Sequence, residues 1–410
     1  MKLLAPVWML FACLSVSAQD YSGTTTSHKM VSDAFGKERT IDVYTPFAYN
    51  ELASDSAIVI YVFDGQFDAL FDMASATADY LYAVGEFPLF IAVGIHTENR
   101  PREFTPAPND RETKDGWGED SDVGNSALLD RQLQNEVMPF IEENYRVKPL
   151  NFAVGHSLGG TYVTNAMMTN TLFKGVLSIS PNTKYDNMQL VSKMDSLLKE
   201  NKAPRAFHYM TAGTTGNMEN SFRSASDLLD SVYTARPSSD LKWHYVTYEG
   251  LGHSDTPMRS IGEALSAFGD LLVLDEPTAE AYLSNPEGTY LDQIKQHYSD
   301  LSDWLGFHLM PSVDEMNNFG YIAMGEEKYR EALEIFEYGI TVFPEDSNIR
   351  DSRGEALENL GEFSQALTAY QEALDLINSR KDEMDEFNFN YYHELLVKNV
   401  ERARELVEKE

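Results

Sequence analysis

The stretch Asn151-Phe152-Ala153-Val154-Gly155-His156-Ser157-Leu158-Gly159-Gly160 decides the fold of this chain. An apolar, strand-like run ends at Val154, and a helix-like run from Thr161 to Met168 begins just past Gly160. Between them lies Gly-x-Ser-x-Gly with Ser157 at its centre. A strand that reverses into a helix within a few residues holds the central residue in a strained conformation. Gly155 and Gly159 let the backbone close, and the serine hydroxyl is pushed out at the top of a sheet. The helix that follows aims its N-terminal N–H groups toward that hydroxyl, so negative charge developing there is stabilised. Strand before and helix after set Ser157 apart from a serine in an ordinary glycine turn, and mark it as a candidate nucleophile.

Working outward, strand and helix patterns alternate. Residues 22–46 read as two strands, with Arg39 to Tyr44 alternating well. Ala57 to Phe63 is a continuous apolar run, as expected of a strand buried on both faces, and it ends in Asp64-Gly65-Gln66. A helix over Phe67–Tyr82 and a buried strand over Leu89–Ile95 follow. Asn99 to Ser126 is a polar, proline-bearing loop holding Trp117 between two glycines. Leu128–Tyr145 reads as a helix with Leu129, Leu133, Val137, Phe140 and Ile141 on one face. Beyond the Ser157 segment, strands Gly175–Ile179, Ala206–Ala212 and Leu241–Tyr248 alternate with helices near Asn187–Leu198, Met218–Val232 and Pro257–Leu272. This order implies an α/β fold, a mostly parallel sheet covered by helices on both faces.

After Leu274 only helical patterns occur, and two stretches repeat at a 34-residue spacing. Gly320, Tyr329, Ala332, Phe336 and Gly339 match Gly354, Phe363, Ala366, Tyr370 and Ala373, and Pro344 closes the first unit. Small and aromatic residues at that period are the signature of tetratricopeptide-like helix pairs. Helices over Tyr290–Trp304 and Asn390–Leu406 lead in and out. Two repeats suit a structural appendage slightly better than a peptide groove, because grooves usually need longer arrays. A protein partner or self-association through this tail is the expectation it raises.

The chain has 410 residues, enough for two domains. Its formal net charge of −33 argues against binding nucleic acid or anionic lipid, since both carry phosphate charge. Residues 1–18 read as a secretory signal: Lys2, an apolar Leu3–Leu14 run, then Val16-Ser17-Ala18 as a cleavage site before Gln19. That run is too short for a stable membrane span, and no other segment qualifies. Export to the periplasm or the extracellular space follows. The single cysteine, Cys13, lies inside the signal, which leaves the mature chain without disulfide or thiolate chemistry. The domains expected are the signal over 1–18, an α/β domain over 19–274 and a helical domain over 275–410.

A serine hydroxyl needs a base within hydrogen-bond reach. In a strand–turn–helix setting of this kind the order along the chain is Ser, acid, His. Among nine histidines, His28 and His96 precede Ser157, and His156 adjoins it and is expected to point away. His208 and His244 lie in strands, and His297, His308 and His393 fall in the helical region. His253 is left, in the glycine-bearing loop Glu249-Gly250-Leu251-Gly252-His253-Ser254-Asp255 after the last strand. The acid belongs after the preceding strand. Glu219 is the first carboxylate there, either as catalytic partner or as a complement to a helix N-terminus capped by Asn217; a Ser157–His253 dyad oriented by a backbone carbonyl or water comes next, and Asp186 is the other carboxylate candidate. The backbone N–H groups of Leu158 and Gln66 are the expected oxyanion donors. Asp64 is expected to hold a substrate hydroxyl or to fix its loop, and Trp117 to stack on substrate or pack in the loop. No His-Glu-x-x-His, cysteine pair or phosphate loop occurs, so no metal or cofactor is implied.

Tyr61-Val62-Phe63-Asp64-Gly65-Gln66, the run from Asn99 to Pro106, Gly155-His156-Ser157-Leu158-Gly159-Gly160 and Ser180-Pro181 together resemble the putative-esterase family of α/β-hydrolases. That family includes siderophore and feruloyl esterases, and the resemblance covers roughly residues 30–272. It implies a Ser157–His253 pair and oxyanion donors at Leu158 and at the residue after Asp64-Gly65. Relatives commonly place a carboxylate soon after the glycine of the Gly213 loop, where this chain has Thr214-Thr215-Gly216. The tail looks like that of exported bacterial relatives. The expectation is an exported serine esterase acting on a small-molecule ester. A silent hydrolase-fold binding module and an acyltransferase with the same site are the alternatives.

Overall fold

A computed structural model describes residues 23–51, 56–116, 123–381, 384 and 386–409. The signal-like residues 1–18 and Trp117 lie outside the described residues. The chain divides into two compact units, Met1–Ser266 and Ala267–Glu410.

The first unit is built on one eight-stranded sheet: β1 (Thr24–Ser32), β2 (Lys37–Thr45), β3 (Ala57–Phe63), β4 (Phe90–Ile95), β5 (Val147–His156), β6 (Gly175–Ile179), β7 (Ala206–Gly213) and β8 (Leu241–Tyr248). Their order is β1-β2-β4-β3-β5-β6-β7-β8. Pairings β1–β2 and β2–β4 are antiparallel, and every later pairing is parallel. All residues of β3, β4 and β7 are buried; β3 and β4 are accordingly unbroken runs of apolar or small residues, while β7 also carries the buried His208. Strand β8, at the edge, alternates toward solvent.

Helices α1 (Phe47–Glu51), α2 (Asp68–Ala83), α3 (Arg100–Phe104), α4 (Arg111–Gly116), α5 (Ala127–Gln132), α6 (Met138–Asn144), α7 (Leu158–Thr169), α8 (Tyr185–Lys199), α9 (Asn217–Ala235) and α10 (Thr256–Leu272) fill the connections. The helix expected over Leu128–Tyr145 is interrupted by a π-turn at Leu133–Val137. Pro139, just beyond it, has no N–H to give to the carbonyl one turn back, and a wider turn relieves that mismatch. The start of α8 also differs from a regular helix. Asp186, Asn187 and Met188 have φ of 49°, 52° and 62°, so right-handed helix begins only after them.

Because β3 and β5–β8 run parallel, their C-terminal ends meet one edge of the sheet. Registers His156↔Ile179, Ile179↔Thr211 and Gly213↔Tyr248 bring the loops after β5, β6, β7 and β8 side by side there. That edge is where an open α/β sheet carries its ligands.

The second unit is helical: the end of α10, then α11 (Glu276–Ser284), α12 (Tyr290–Leu305), α13 (Val313–Gly325), α14 (Tyr329–Val342), α15 (Ser347–Asn359), α16 (Phe363–Ser379) and α17 (Glu386–Lys409). Helices α13 and α14 pack as one pair and α15 and α16 as the next. The 34-residue period has a physical cause. A Cβ on Gly320 would lie 2.1 Å from the Phe336 ring, and one on Gly354 would lie 2.5 Å from the Tyr370 ring. Each pair closes by seating an aromatic ring on a bare backbone. Among the described residues, no helix is long and apolar enough to cross a membrane.

Candidate active site

Strand β5 delivers Ser157 directly into α7. Its backbone is at φ 60°, ψ −118°, a region that side chains rarely adopt. Such a residue costs of order 1–3 kcal/mol, so its surroundings must impose it. Gly155 is part of that constraint, since a Cβ there would sit 2.3 Å from the carbonyl oxygen of Gly159. The Ser157 amide donates to the Ile179 carbonyl at 2.9 Å, which ties the turn to β6. Its side chain makes no capping bond to α7, so the hydroxyl is not spent on the helix. Leu158 is the first residue of α7, and its N–H has no partner within the helix.

The loops after β7 and β8 bring Glu219 and His253 together. Glu219 Oε2 lies 2.7 Å from His253 Nδ1. The other carboxylate oxygen accepts from the Gly213 amide at 2.5 Å and from Ser180 Oγ at 2.8 Å. Glu219 is 1% exposed. Burial alone would raise its carboxyl, but the bonds from His253, Gly213 and Ser180 outweigh it and hold the group below the usual carboxylate range. Residue 219 gets there because the first turn of α9 stacks under the loop. The cap of that helix is Gly216, at φ 96°, rather than Asn217.

Asp186 takes no part in this cluster. Its carboxylate accepts from the amides of Asn109 and Asp110 at 2.7 and 3.0 Å, pinning the loop after α3. The left-handed turn at 186–188 aims it at that loop instead of at His253.

His156 also differs from expectation. It does not point away: its Nε2 lies 2.9 Å from the His253 carbonyl oxygen, with the two rings 4.7 Å apart. Burial, then the nearby His253 charge, lowers its pKa to about 4. A second serine–histidine contact, Ser178 Oγ to His208 Nε2 at 2.9 Å, is wholly buried and continues to Thr164 and Tyr233. No substrate reaches it; it is core packing.

On the opposite side of the turn, Asp64 follows β3 at φ 65° and is 2% exposed. Arg100 Nε donates to both its oxygens, at 3.1 and 2.9 Å, and Gln66 Nε2 donates to it at 3.1 Å. Burial pushes the Asp64 carboxyl up, and the Arg100 charge only partly offsets this. Gly65 lies flat on β4, where a Cβ would come within 2.5 Å of the Gly94 backbone. The Gln66 side chain accepts from the Thr97 amide at 2.8 Å, which fixes the loop that carries the Gln66 N–H. Thr256 Oγ1 lies 2.9 Å from Ser180 Oγ. The bracing roles of Arg100, Ser180 and Thr256 are not legible in the sequence, although the first two lie in segments that carry the family resemblance.

A mostly parallel sheet with a strained serine between strand and helix, and a carboxylate–histidine pair after its last two strands, defines an α/β-hydrolase fold. The putative-esterase family model matches residues 32–255, more than half of the chain, and the chain belongs to that family. It is a serine hydrolase of the ester-cleaving class. Two solved structures share the fold at a TM-score of 0.66. One is an IroE-like serine hydrolase from Shewanella oneidensis, 18% identical, covering 78% of this chain and 100% of its own. The other is an uncharacterised protein from Capnocytophaga ochracea, 15% identical, covering 93% and 99%. The siderophore hydrolase EstA from Aspergillus nidulans is 18% identical over 60% of this chain and 94% of its own, at a TM-score of 0.50. No curated protein matches the chain.

Proposed function

We propose that the protein is an exported esterase that hydrolyses a small-molecule carboxylic ester through an acyl-enzyme on Ser157. The observation that carries this reading is the 2.7 Å contact between Glu219 and His253 Nδ1, which follow β7 and β8 at the sheet edge that also carries the Ser157 elbow. With Nδ1 committed to Glu219, Nε2 of His253 is the nitrogen that serves Ser157. It takes the proton from Oγ as Oγ bonds to the ester carbon, and returns it to the departing alkoxide as the carbon–oxygen bond breaks. Water then repeats the steps in reverse and releases the acid. Glu219 holds the imidazole in the required tautomer and stabilises the imidazolium. The amides of Leu158 and Gln66 receive the oxyanion, each such donor being worth about 10²–10³ in kcat. Asp64, already held by Arg100, fixes the Gln66 loop in this reading.

Residues 1–18 act as the export signal, and 19–274 and 275–410 are the esterase and the tetratricopeptide-like helical domain. The name of the Aspergillus neighbour suggests siderophore esters as one substrate class to try. The test is labelling by a fluorophosphonate probe together with turnover of nitrophenyl, feruloyl and siderophore esters. Labelling that vanishes in Ser157→Ala and slows sharply in His253→Ala supports the assignment. A folded wild-type protein that neither labels nor turns over any ester would make it a silent binding module.

A further inference from the structure

His156 is the residue before the nucleophile, yet its ring is turned toward the loop of the base. A carbonyl oxygen cannot donate, so at the 2.9 Å contact with the His253 carbonyl the proton must sit on His156 Nε2. Burial keeps the ring neutral near pH 7, which matters because a cation beside His253 would oppose the imidazolium formed in the reaction. The same carbonyl accepts from Thr256 Oγ1 at 3.2 Å. Thr256 in turn meets Ser180 Oγ at 2.9 Å, and Ser180 donates to Glu219. On the other side of the elbow, Arg100 Nη2 donates to the His156 carbonyl at 3.4 Å while its Nε holds Asp64.

We propose that His156 is a positioning residue, whose ring bolts the backbone of the His253 loop to the nucleophile elbow and so sets the reach of His253 toward Ser157. This rests on the assignment of Ser157 and His253 as nucleophile and base. The physical need is plain from the loop. His253 follows Gly250, at φ 79°, and Leu251, whose carbonyl accepts from the Thr214 and Thr215 amides at 3.0 Å; at His253 itself the carbonyl is held by the side chains of Thr256 and His156, and of these only His156 belongs to the elbow. Glu219 fixes one ring nitrogen of His253, and Thr256 holds its carbonyl from a few residues further along the chain. The His156 ring adds the anchor that comes from the elbow itself. One strut, Asp64–Arg100–His156–His253, then joins the oxyanion loop, the elbow and the base loop.

The test compares His156→Gln, whose amide N–H falls near the position of Nε2, with His156→Leu and His156→Asn, which lack a donor there. Turnover of nitrophenyl butyrate and the rate of fluorophosphonate labelling are measured on the full chain. We expect kcat to fall about 10- to 100-fold in the Leu and Asn variants, the loss typical of a slightly misplaced catalytic group. KM should stay nearly constant, labelling should slow by the same factor, and His156→Gln should regain most of both rates. If the Leu variant does not fold, the Gln–Asn pair carries the comparison. Equal kcat in Gln and Asn variants, or a change confined to KM, would overturn the proposal. Full turnover by Ser157→Ala or His253→Ala would instead show that the site reading beneath it is wrong.

Discussion

Glu219 Oε2 and His253 Nδ1 stand 2.7 Å apart although 34 residues separate them, and the remaining carboxylate oxygen is held by Gly213 and Ser180. A carboxylate so tied can neither rotate away nor be reached by solvent. It fixes which imidazole nitrogen carries the proton.

Replacing Glu219 by Gln should therefore act on turnover more than on stability. In a well-studied serine protease the equivalent acid-to-amide change lowers kcat by about 10⁴ with the geometry intact. A loss of at least two orders of magnitude in kcat is expected here, with the melting temperature nearly unchanged. Asp186→Asn is the contrast. It weakens the bonds to the Asn109 and Asp110 amides, so it should cost about 1 kcal/mol of stability and leave kcat within a few-fold. A reversed pattern in the two variants would move the acid to Asp186.

The elbow offers a separation of stability from activity. Ser157 sits at φ 60°, where glycine rests without penalty. Ser157→Gly and Ser157→Ala should both abolish ester turnover. Only the glycine variant should gain stability, by about 1 kcal/mol, since relief of backbone strain is partly offset by a more flexible unfolded chain. Denaturant melts of the three proteins check this, and equal stability of the Gly and Ala variants would show that the turn is unstrained.

Stability should fall in mild acid for a reason that can be located. Burial lowers the pKa of His208 to about 3, and that of His156 to about 4, where His253 adds to the effect. In the unfolded chain both bind a proton near pH 6.5. Below that pH the unfolded state holds more protons than the native one, so stability present at pH 7 is lost as pH falls toward 4 and then 3. Each histidine contributes a slope of at most about 1.4 kcal/mol per pH unit. Glu219, held low in the fold, adds a loss of the same sign once pH drops below the ordinary carboxylate range. Melting temperatures of wild type and His208→Gln between pH 7 and 4 test the point, and the variant should show the shallower decline.

In the helical unit, Gly320→Ala and Gly354→Ala push a methyl group into Phe336 and Tyr370 respectively. Overpacking costs about 1–3 kcal/mol, while alanine regains about 1 kcal/mol of helix propensity. A net loss of up to about 2 kcal/mol is expected in each. Turnover of a small ester should be unchanged, because every candidate site residue lies before Ser266. Loss of turnover in a folded variant would tie the helical unit to the chemistry.

The elements, the elbow turn and the order in which chemistry-bearing residues arrive can be read from the residues alone. Gly-x-Ser-x-Gly between a buried strand and a helix, buried runs such as Ala57–Phe63, and the 34-residue recurrence of glycine and aromatic residues are local or periodic signals. The backbone writes them directly into composition. Tertiary structure decided what depends on distance between loops. Whether Glu219 or Asp186 faces His253 is set by the left-handed turn at 186–188 and by the packing of α9 under the Gly213 loop. Neither leaves a mark at a fixed spacing. The ring of His156 is the clearest case. Its neighbour Ser157 is legible from five residues, but the partner of His156 is a main-chain carbonyl 97 positions away. A backbone acceptor carries no residue identity, so no sequence pattern could have pointed to it.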